Sequence, residues 1–252
     1  MELLDFLFIL SAYVIAAAIK GLTGIGFSTS CLPIMALRID LTAAIPLVIV
    51  PSVISNIAVM VQAGRFREAV RRFWPLYLTS IPGLLAGLAI LVAIDANAAK
   101  AVLGMVLIAY SLWALTNTSL TISATWEKRL RIPVGLCTGL VNGITGSQVM
   151  PVLPFLFSLN LGKKAFIQAI NISFTLSSLI MLGGMNHLGY VSAKALLIAA
   201  GGLIPVIVSV YLAGRLQEKL SGTWHRRLVL LFLLIMGLIL LMRIIPFKVL
   251  FE

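Results

Sequence analysis

Lys20-Gly21-Leu22-Thr23-Gly24-Ile25-Gly26 is the first of two glycine-rich stretches that interrupt strongly apolar segments. The second, 122 positions later, is Asn142-Gly143-Ile144-Thr145-Gly146-Ser147-Gln148. In lipid, non-helical backbone is tolerated only where it is buried in protein or lines a cavity, because unpaired backbone groups cost several kcal/mol. A matched pair of such interruptions, one in each half, is typical of secondary transporters. These stretches, here called the first break and the second break, therefore indicate the fold.

The composition predicts a membrane protein. Of the 252 residues, 61% are hydrophobic and only 11% are charged. The formal net charge of +11 would suit nucleic acid, but the basic residues lie in connectors between apolar segments. Membrane orientation explains that distribution better, so the expected partner is the lipid bilayer and not nucleic acid. The fold class expected is an all-α polytopic membrane protein.

No cofactor or metal site is expected. Cys31 and Cys137 lie in apolar segments without the spacing of a zinc site or a disulfide framework, so both are predicted to be small core residues. Met1–Leu10 carries Glu2 and Asp5 in place of the basic residues of a secretory signal, so no cleaved segment is expected.

Two of the apolar segments are too long for one crossing. Apolar segments occupy residues 4–37, 42–62, 73–94, 98–117, 132–158, 165–185, 195–213 and 226–246. A straight helix from Leu4 to Leu37 would be roughly 50 Å long, against a hydrocarbon core of about 30 Å. The first break divides this segment into arms of about 15 residues, and the second break divides the fifth segment. Each long segment is therefore predicted to be a broken or re-entrant helical hairpin.

The distribution of basic residues favours hairpins that return to the side they entered from. One face of the membrane then holds 13 of the 19 basic residues: Arg65, Arg67, Arg71, Arg72, Lys128, Arg129, Arg131, Lys163, Lys164, Arg215, Lys219, Arg226 and Arg227. If both long segments crossed once, the loop charges would divide 10 to 8. The positive-inside rule therefore predicts cytoplasmic basic loops and two periplasmic termini.

The same topology predicts two inverted repeats in one integral membrane domain. Each half, 1–120 and 121–252, would contain one hairpin and three transmembrane helices, so the second half is upside down relative to the first. Ala44-Ile45 and Ala169-Ile170 open equivalent helices at an offset of 125, close to the offset of 122 between the breaks. Inverted repeats with broken helices describe many secondary transporters.

The run Gly21-Leu22-Thr23-Gly24-Ile25-Gly26 followed by Pro33, with Gly139–Gly146 and Pro154 in the second half, resembles the paired glycine-rich signatures of the sulfite exporter TauE/SafE family. The resemblance covers essentially the whole chain. It implies export of sulfite, of organosulfonates such as sulfoacetate, or of other sulfur-containing anions across the inner membrane of bacteria. Where the family pattern has consecutive glycines, this chain has Phe27-Ser28 and Ser147-Gln148.

Lys20 gives an independent reason to expect an anion. A charged group at membrane depth costs at least about 2.5 kcal/mol. The confident spans contain no Asp or Glu to compensate it, except for Asp5 at the outer end of the same segment. An anionic substrate could supply the missing charge. The alternative is that Lys20 extends towards the surface or a water-filled vestibule without touching a ligand.

The expected substrate site combines the two breaks with one neighbouring residue. Glycines allow close backbone approach, and hydroxyls and amides can bond sulfonate oxygens. The predicted site residues are Lys20, Gly21, Thr23, Gly24, Gly26, Ser28, Asn142, Gly143, Thr145, Gly146, Ser147, Gln148 and Asn171, with Thr29, Ser30 and Asn56 as further candidates. The alternative is that these small residues serve helix packing.

The sequence favours a transporter and not an enzyme, because the spans offer no set of His, Asp and Glu for catalysis. They also offer no carboxylate relay for a coupled cation. An inside-negative potential drives an anion outward by about 2.3 kcal/mol per charge per 100 mV, which predicts facilitated export. An anion channel, or a permease for another small solute or a metal ion, is the alternative, and the oligomeric state is open.

Overall fold

The structure, a computed structural model, describes residues 3–116, 121–219 and 224–242. Every regular element in these ranges is a helix. The helices are α1 Leu3–Thr23, α2 Phe27–Ala36, α3 Leu41–Ala63, α4 Phe66–Ala93, α5 Ala96–Leu115, α6 Ala124–Thr145, α7 Val152–Ser158, α8 Lys163–His187, α9 Ala193–Gly201, α10 Leu203–Lys219 and α11 Trp224–Met242. Six spans in the described ranges, one of them formed by α9 and α10 together, are long and apolar enough to cross a membrane. The predicted all-α polytopic class is confirmed.

Two helices extend beyond their apolar parts. α4 begins at Phe66 and α6 begins at Ala124, whereas hydropathy places their starts at 73 and 132. The added turns carry charged residues, among them Arg72 and Glu127. Hydropathy marks only the part of a helix that suits lipid, so it does not locate an end that continues into water.

The first long segment returns along itself. The rings of Tyr13 in α1 and Phe27 at the start of α2 have centroids 6.2 Å apart. The guanidinium of Arg38, just after α2, lies 5.2 Å from the ring centroid of Phe8 in α1. The chain therefore comes back towards the start of α1. The arms are unequal, 21 and 10 residues instead of about 15 each, and α1 alone is roughly 31 Å long.

The second long segment also returns. The N–H of Ile122, just before α6, donates to the carbonyl of Ser158 at the end of α7 over 3.2 Å. Here too the arms are unequal, with 22 residues in α6 and 7 in α7. In both segments the interruption follows the C-terminus of a long helix, and a short helix leads back.

Side-chain contacts identify the two ends of the bundle. At the first end, where α3 and α5 begin, Lys100 Nζ lies 2.7 Å from Asp40 Oδ1. At the second end, where α4 and α6 begin, Arg72 pairs with Glu127. The hydroxyl of Tyr13 donates to the carbonyl of Leu47 at 2.6 Å, and α1 and α3 both run from the first end to the second.

Glycines bring helices of different halves into backbone contact. A Cβ added to Gly139 of α6 would lie 2.1 Å from the Ser80 carbonyl oxygen of α4. A Cβ added to Gly21 of α1 would lie 2.6 Å from the Val210 carbonyl oxygen of α10. Small residues permit such close approach between membrane helices. The pairs α4–α6 and α1–α10 therefore join residues 1–120 to residues 121–252.

The two cysteines lie in different surroundings. Cys31 in α2 is buried, which confirms its predicted place in the core. The same prediction for Cys137 is wrong, because this side chain is exposed. Cys137 lies two positions from both Gly135 and Gly139, which contact α4, and two positions turn a helix through about 200°. The side chain therefore projects from the far side of α6.

An ion cluster holds the second end of α4 to α6. Arg72 Nε and Nη2 each donate to Glu127 at 2.8 Å, and Arg131 also donates to this carboxylate. Glu127 is buried, and the hydrogen bond from Arg72 is the main cause that lowers its pKa, with Arg131 lowering it further against the effect of burial.

Acidification is therefore expected to weaken this cluster. Because the pKa of Glu127 is lowered on folding, its contribution is complete above the pKa of an unstructured glutamate, about 4.3. It is lost as the pH falls through the lowered value. We expect Glu127→Gln to cost about 2 kcal/mol at pH 7, the contribution of a hydrogen bond to a charged group, and to flatten the fall in melting temperature between pH 5 and pH 3. Thermal unfolding of the purified protein measures both.

Glu68→Gln is the control, because Glu68 pairs with Arg65 on an exposed surface where an ion pair contributes little. Equal pH profiles for wild type and Glu127→Gln would contradict a stabilising role for the cluster.

Candidate functional site

The first break is a helix end held by one hydroxyl and two glycines. The Thr23 Oγ1 lies 2.8 Å from the carbonyl oxygens of both Ile19 and Ile25. The Gly24 N–H donates to the Lys20 carbonyl at 2.7 Å. Gly24 and Gly26 have φ angles of 78° and 89°, in the left-handed region that favours glycine. These contacts end α1 and allow α2 to begin at once.

The second break repeats this arrangement. The Thr145 hydroxyl donates to the Val141 carbonyl at 2.7 Å and accepts from the Ser147 N–H at 3.0 Å. The Gly146 N–H donates to the Asn142 carbonyl at 2.7 Å, and Gly146 has a φ angle of 70°. Each bond has its counterpart 122 residues earlier. Lys20 and Asn142 therefore occupy equivalent positions in two similar turns.

The Lys20 side chain is buried against α3. It is 1% exposed, and its Nζ donates to Ser55 Oγ at 3.0 Å and to Asn56 Oδ1. Both acceptors are neutral. Among the described residues, no carboxylate oxygen lies within 4 Å of this nitrogen. The described part of the chain therefore supplies hydrogen-bond acceptors to this ammonium group but no compensating charge.

A small cavity lies between the hairpins. Its volume is about 10 Å³, close to that of one water position. Its polar lining comes from both halves: Ser28, Ser52, Asn142, Gln148 and Ser178. The hydroxyls of Ser28 and Ser52 lie 3.4 Å apart, and Gln148 Nε2 donates to Ser178 Oγ at 3.0 Å. Residues from both halves thus line one polar interior space, and the second break contributes Asn142, Gly146 and Gln148 to it.

Several polar atoms around this cavity have no hydrogen-bond partner within the described part of the protein. They are both amide atoms of Asn142, Oε1 of Gln148 and, beside them, Oγ of Ser147. Asn142 is 1% exposed. A buried polar atom without a partner costs about 1–3 kcal/mol. Water or a polar ligand in this space would remove that cost.

A larger cavity of about 260 Å³ lies beside the first break, towards the second end. Thr23 and Gly26 border it, together with Thr29 and Ser30 from the first turn of α2. Much of the remaining wall is apolar and comes from α7, α8 and α11. The first break therefore borders the larger, mainly apolar space, and the second break borders the small polar one.

The predicted site residues are distributed over these features. Ser28, Asn142, Gly146 and Gln148 line the small cavity, and Thr23 and Gly26 line the larger one. Thr145 and Gly24 shape the turns. Lys20 and Ser147 are buried within the breaks, and neither lines the small or the larger cavity.

Three predicted residues lie elsewhere. Gly21 contacts α10, and Gly143 contacts α4, where a Cβ would lie 2.3 Å from the Leu84 carbonyl oxygen. Both glycines are needed for helix packing, which is the alternative that the sequence left open. Asn171 is fully buried, and its amide donates to the Ile167 carbonyl at 2.8 Å, but it lines neither cavity.

Sequence reasoning missed the serines that complete the polar interior. Ser52 and Ser55 of α3 and Ser178 of α8 contact the predicted residues directly. Ser55 and Asn56 lie three and four positions after Ser52, which places all three on one helix face. That polar face on an apolar helix was the available signal.

The comparison with protein families supports the interpretation of the two glycine-rich breaks as a family signature. The family model described as "Sulfite exporter TauE/SafE" matches residues 9–240, which include both breaks. The chain belongs to this family. The resemblance recognised from the breaks is confirmed, and this TauE/SafE protein is a multi-pass membrane protein of transmembrane transport. Neither the curated proteins nor the solved structures contain a match.

Proposed function

We propose that this TauE/SafE protein exports a small sulfur-containing anion, sulfite or an organosulfonate such as sulfoacetate, across the bacterial inner membrane by alternating access. One observation carries the proposal. Within the described ranges, the buried Lys20 of the first break has only neutral hydrogen-bond acceptors, and the matching second break carries buried polar atoms without a partner.

Charge supports an anion as the cargo. A buried ammonium without a counter-ion is unfavourable, and a bound anion would compensate it. Ser55 and Asn56 hold the Lys20 amine within one helix turn of Ser52, which lines the small cavity. A modest shift of this flexible side chain would exchange neutral oxygens for the oxygens of an anion. A cation or metal ion would be repelled at the same place.

The packing supports an inverted repeat. In each half, the first long helix contacts a helix from the other half through glycine, α1 with α10 and α6 with α4. The two breaks share one hydrogen-bond pattern at an offset of 122. We infer that residues 1–120 and 121–252 are related by a pseudo-twofold axis in the membrane plane, an architecture that provides two access states.

The closed interior supports a carrier over an open pore. The small cavity between the hairpins is about 10 Å³, too small for a sulfur oxyanion to pass through without rearrangement. The 13 basic residues of the cytoplasmic set include Arg72, Arg131 and Lys163 at the second end. We infer that the second end and its larger cavity face the cytoplasm and that the termini are periplasmic.

Flux measurements test the proposal. In proteoliposomes loaded with labelled sulfite or sulfoacetate, an imposed potential should drive efflux that empty liposomes lack. Asn142→Leu should lower this efflux roughly tenfold. It removes an amide that can hydrogen-bond the anion, and a loss of about 1.4 kcal/mol in binding corresponds to that factor.

Asn186→Leu is the matched control, since Asn186 is exposed at the end of α8. Failure of both anions to move in wild type would refute the proposed substrate class. Flux that neither saturates nor responds to anions on the opposite side would indicate a channel.

A further inference from the structure

A further pocket lies at the first end of the bundle, where α3 and α5 begin. Its volume is about 180 Å³, and its lining includes Asp40, Leu41 and Thr42 around the start of α3, Ala96 at the start of α5, and Tyr190. We call it the first-end pocket. The larger cavity beside the first break lies towards the opposite end of the bundle, so the two spaces are distinct.

The proposed inverted repeat relates the first-end pocket to the larger cavity. At the offset of 125 that relates α3 to α8, Leu41 of the pocket corresponds to Phe166. Its neighbour Thr42 corresponds to Ile167. Phe166 and Ile167 both line the larger cavity. The start of α3 thus borders a pocket at one end of the bundle, and the start of α8 borders a cavity towards the other.

The contact between α5 and α11 supports the same relation independently. A Cβ added to Gly104 would lie 2.8 Å from the Gly237 carbonyl oxygen, and a Cβ added to Gly237 would lie 2.8 Å from the Gly104 carbonyl oxygen. Helices that cross on a twofold axis make reciprocal contacts of this kind. The two glycines are 133 positions apart, and this offset pairs Ala96 of the first-end pocket with Val229 of the larger cavity. The pocket and the cavity are therefore counterparts in the two halves.

An ion pair lies at the edge of the first-end pocket. Lys100 Nζ is 2.7 Å from Asp40 Oδ1, and the two side chains are 17% and 58% exposed. Asp40 is the N-cap residue of α3, yet its side chain makes no capping hydrogen bond. At the offset of 133, Lys100 corresponds to Leu233, which lines the larger cavity. Lys100 therefore has the position of a lining residue, and a carboxylate is paired with it.

We propose that the first-end pocket is a second anion site of the transport route, from which the anion leaves on the periplasmic side, with Lys100 as its positive charge. Carboxylate and sulfonate oxygens both accept charge-assisted hydrogen bonds from an ammonium group, so Asp40 occupies the place of the anion when the site is empty. An ion pair that water reaches contributes little to stability, so an arriving anion displaces Asp40 readily. This proposal rests on the proposed function and adds a site to the same route.

Protection of an introduced cysteine tests the site with sulfoacetate as the probe. Thr42→Cys places a thiol in the pocket lining, Cys137→Ser removes the exposed native thiol, and Cys31 is buried. An uncharged polyethylene-glycol maleimide outside proteoliposomes reaches this thiol only in molecules whose first end faces outward. We expect sulfoacetate to slow the modification. Its half-protecting concentration should fall about threefold in Asp40→Asn and rise at least about tenfold in Lys100→Gln.

Asn186→Cys is the matched control, because Asn186 is exposed at the end of α8 and does not line the pocket. Sulfoacetate should not slow its modification. Where Thr42→Cys does not fold, Ala96→Cys reports on the same pocket. Potassium gluconate at equal ionic strength measures the effect of screening alone.

Equal protection by gluconate and sulfoacetate would overturn this inference. So would equal half-protecting concentrations in wild type and Lys100→Gln. If labelled sulfoacetate efflux persists beside either result, the proposed function stands without a second site. Absence of efflux of both sulfoacetate and sulfite would overturn the proposed function itself.

Discussion

Lys20→Gln is expected to lower potential-driven anion efflux by roughly 30-fold or more while the protein stays folded. A hydrogen bond to a charged group contributes about 2 kcal/mol, which corresponds to that factor. The glutamine amide can still donate to Ser55 Oγ and Asn56 Oδ1, so the neutral contacts of α1 with α3 have a replacement. What the variant lacks is the positive charge. Initial rates in proteoliposomes at a fixed imposed potential measure the loss.

Lys194→Gln is the control for a general effect of removing one positive charge, since Lys194 is exposed in α9. The melting temperature of each variant shows whether the fold is retained. Unchanged efflux in Lys20→Gln would move anion binding to the turn backbone and to hydroxyls such as that of Thr29.

Gly139→Ala is expected to give the largest loss of stability among single-methyl changes in α6. The new Cβ would lie 2.1 Å from the Ser80 carbonyl oxygen and 2.7 Å from the Leu84 backbone nitrogen, and neither atom can move without moving α4. Overpacking of this kind costs about 3 kcal/mol, so we expect the melting temperature to fall by about 6–12 °C. Thermal unfolding in detergent micelles measures this shift.

The matched control is Gly183→Ala in α8. This glycine also lies within a helix, but a Cβ added there meets no atom within 4 Å. Alanine favours a helix by about 1 kcal/mol over glycine, so the control should be neutral or slightly stabilising. A similar melting temperature for Gly139→Ala and wild type would show that α4 and α6 are not in fixed contact.

The sequence was sufficient for the fold class and for the position of the interruptions. Apolar segments of known length, two of them too long for one crossing and interrupted by closely spaced glycines, leave few alternatives. The returning chain at Phe27 and Ser158 agrees with the predicted hairpins. The lengths of the hairpin arms were harder to predict from the sequence. α1 remains helical through Lys20 because no residue before the first break disfavours a helix strongly enough to end it earlier.

The candidate site was only partly predictable, for a different reason. Gly21 and Gly26 look alike in sequence, yet Gly21 contacts α10 and Gly26 has a left-handed φ angle beside a cavity. Which role a glycine has depends on the helix that packs against it, and that helix is distant in the chain. The hydrogen-bond partners of the Lys20 side chain could not be predicted for the same reason, because Ser55 lies on another helix.

The contact between α1 and α10 has a consequence for biogenesis. Gly21 contacts Ala213 and Val210, roughly 190 residues further along the chain. The surface of α1 that packs against α10 therefore has no partner during most of translation. α1 enters the bilayer before its partner α10 has been synthesised, with Lys20 already at membrane depth. If translation stopped after α9, α1 would lack its partner α10, and the incomplete chain would be a substrate for quality-control proteases. Formation of the α1–α10 contact therefore has to wait until a helix near the end of the chain has been synthesised.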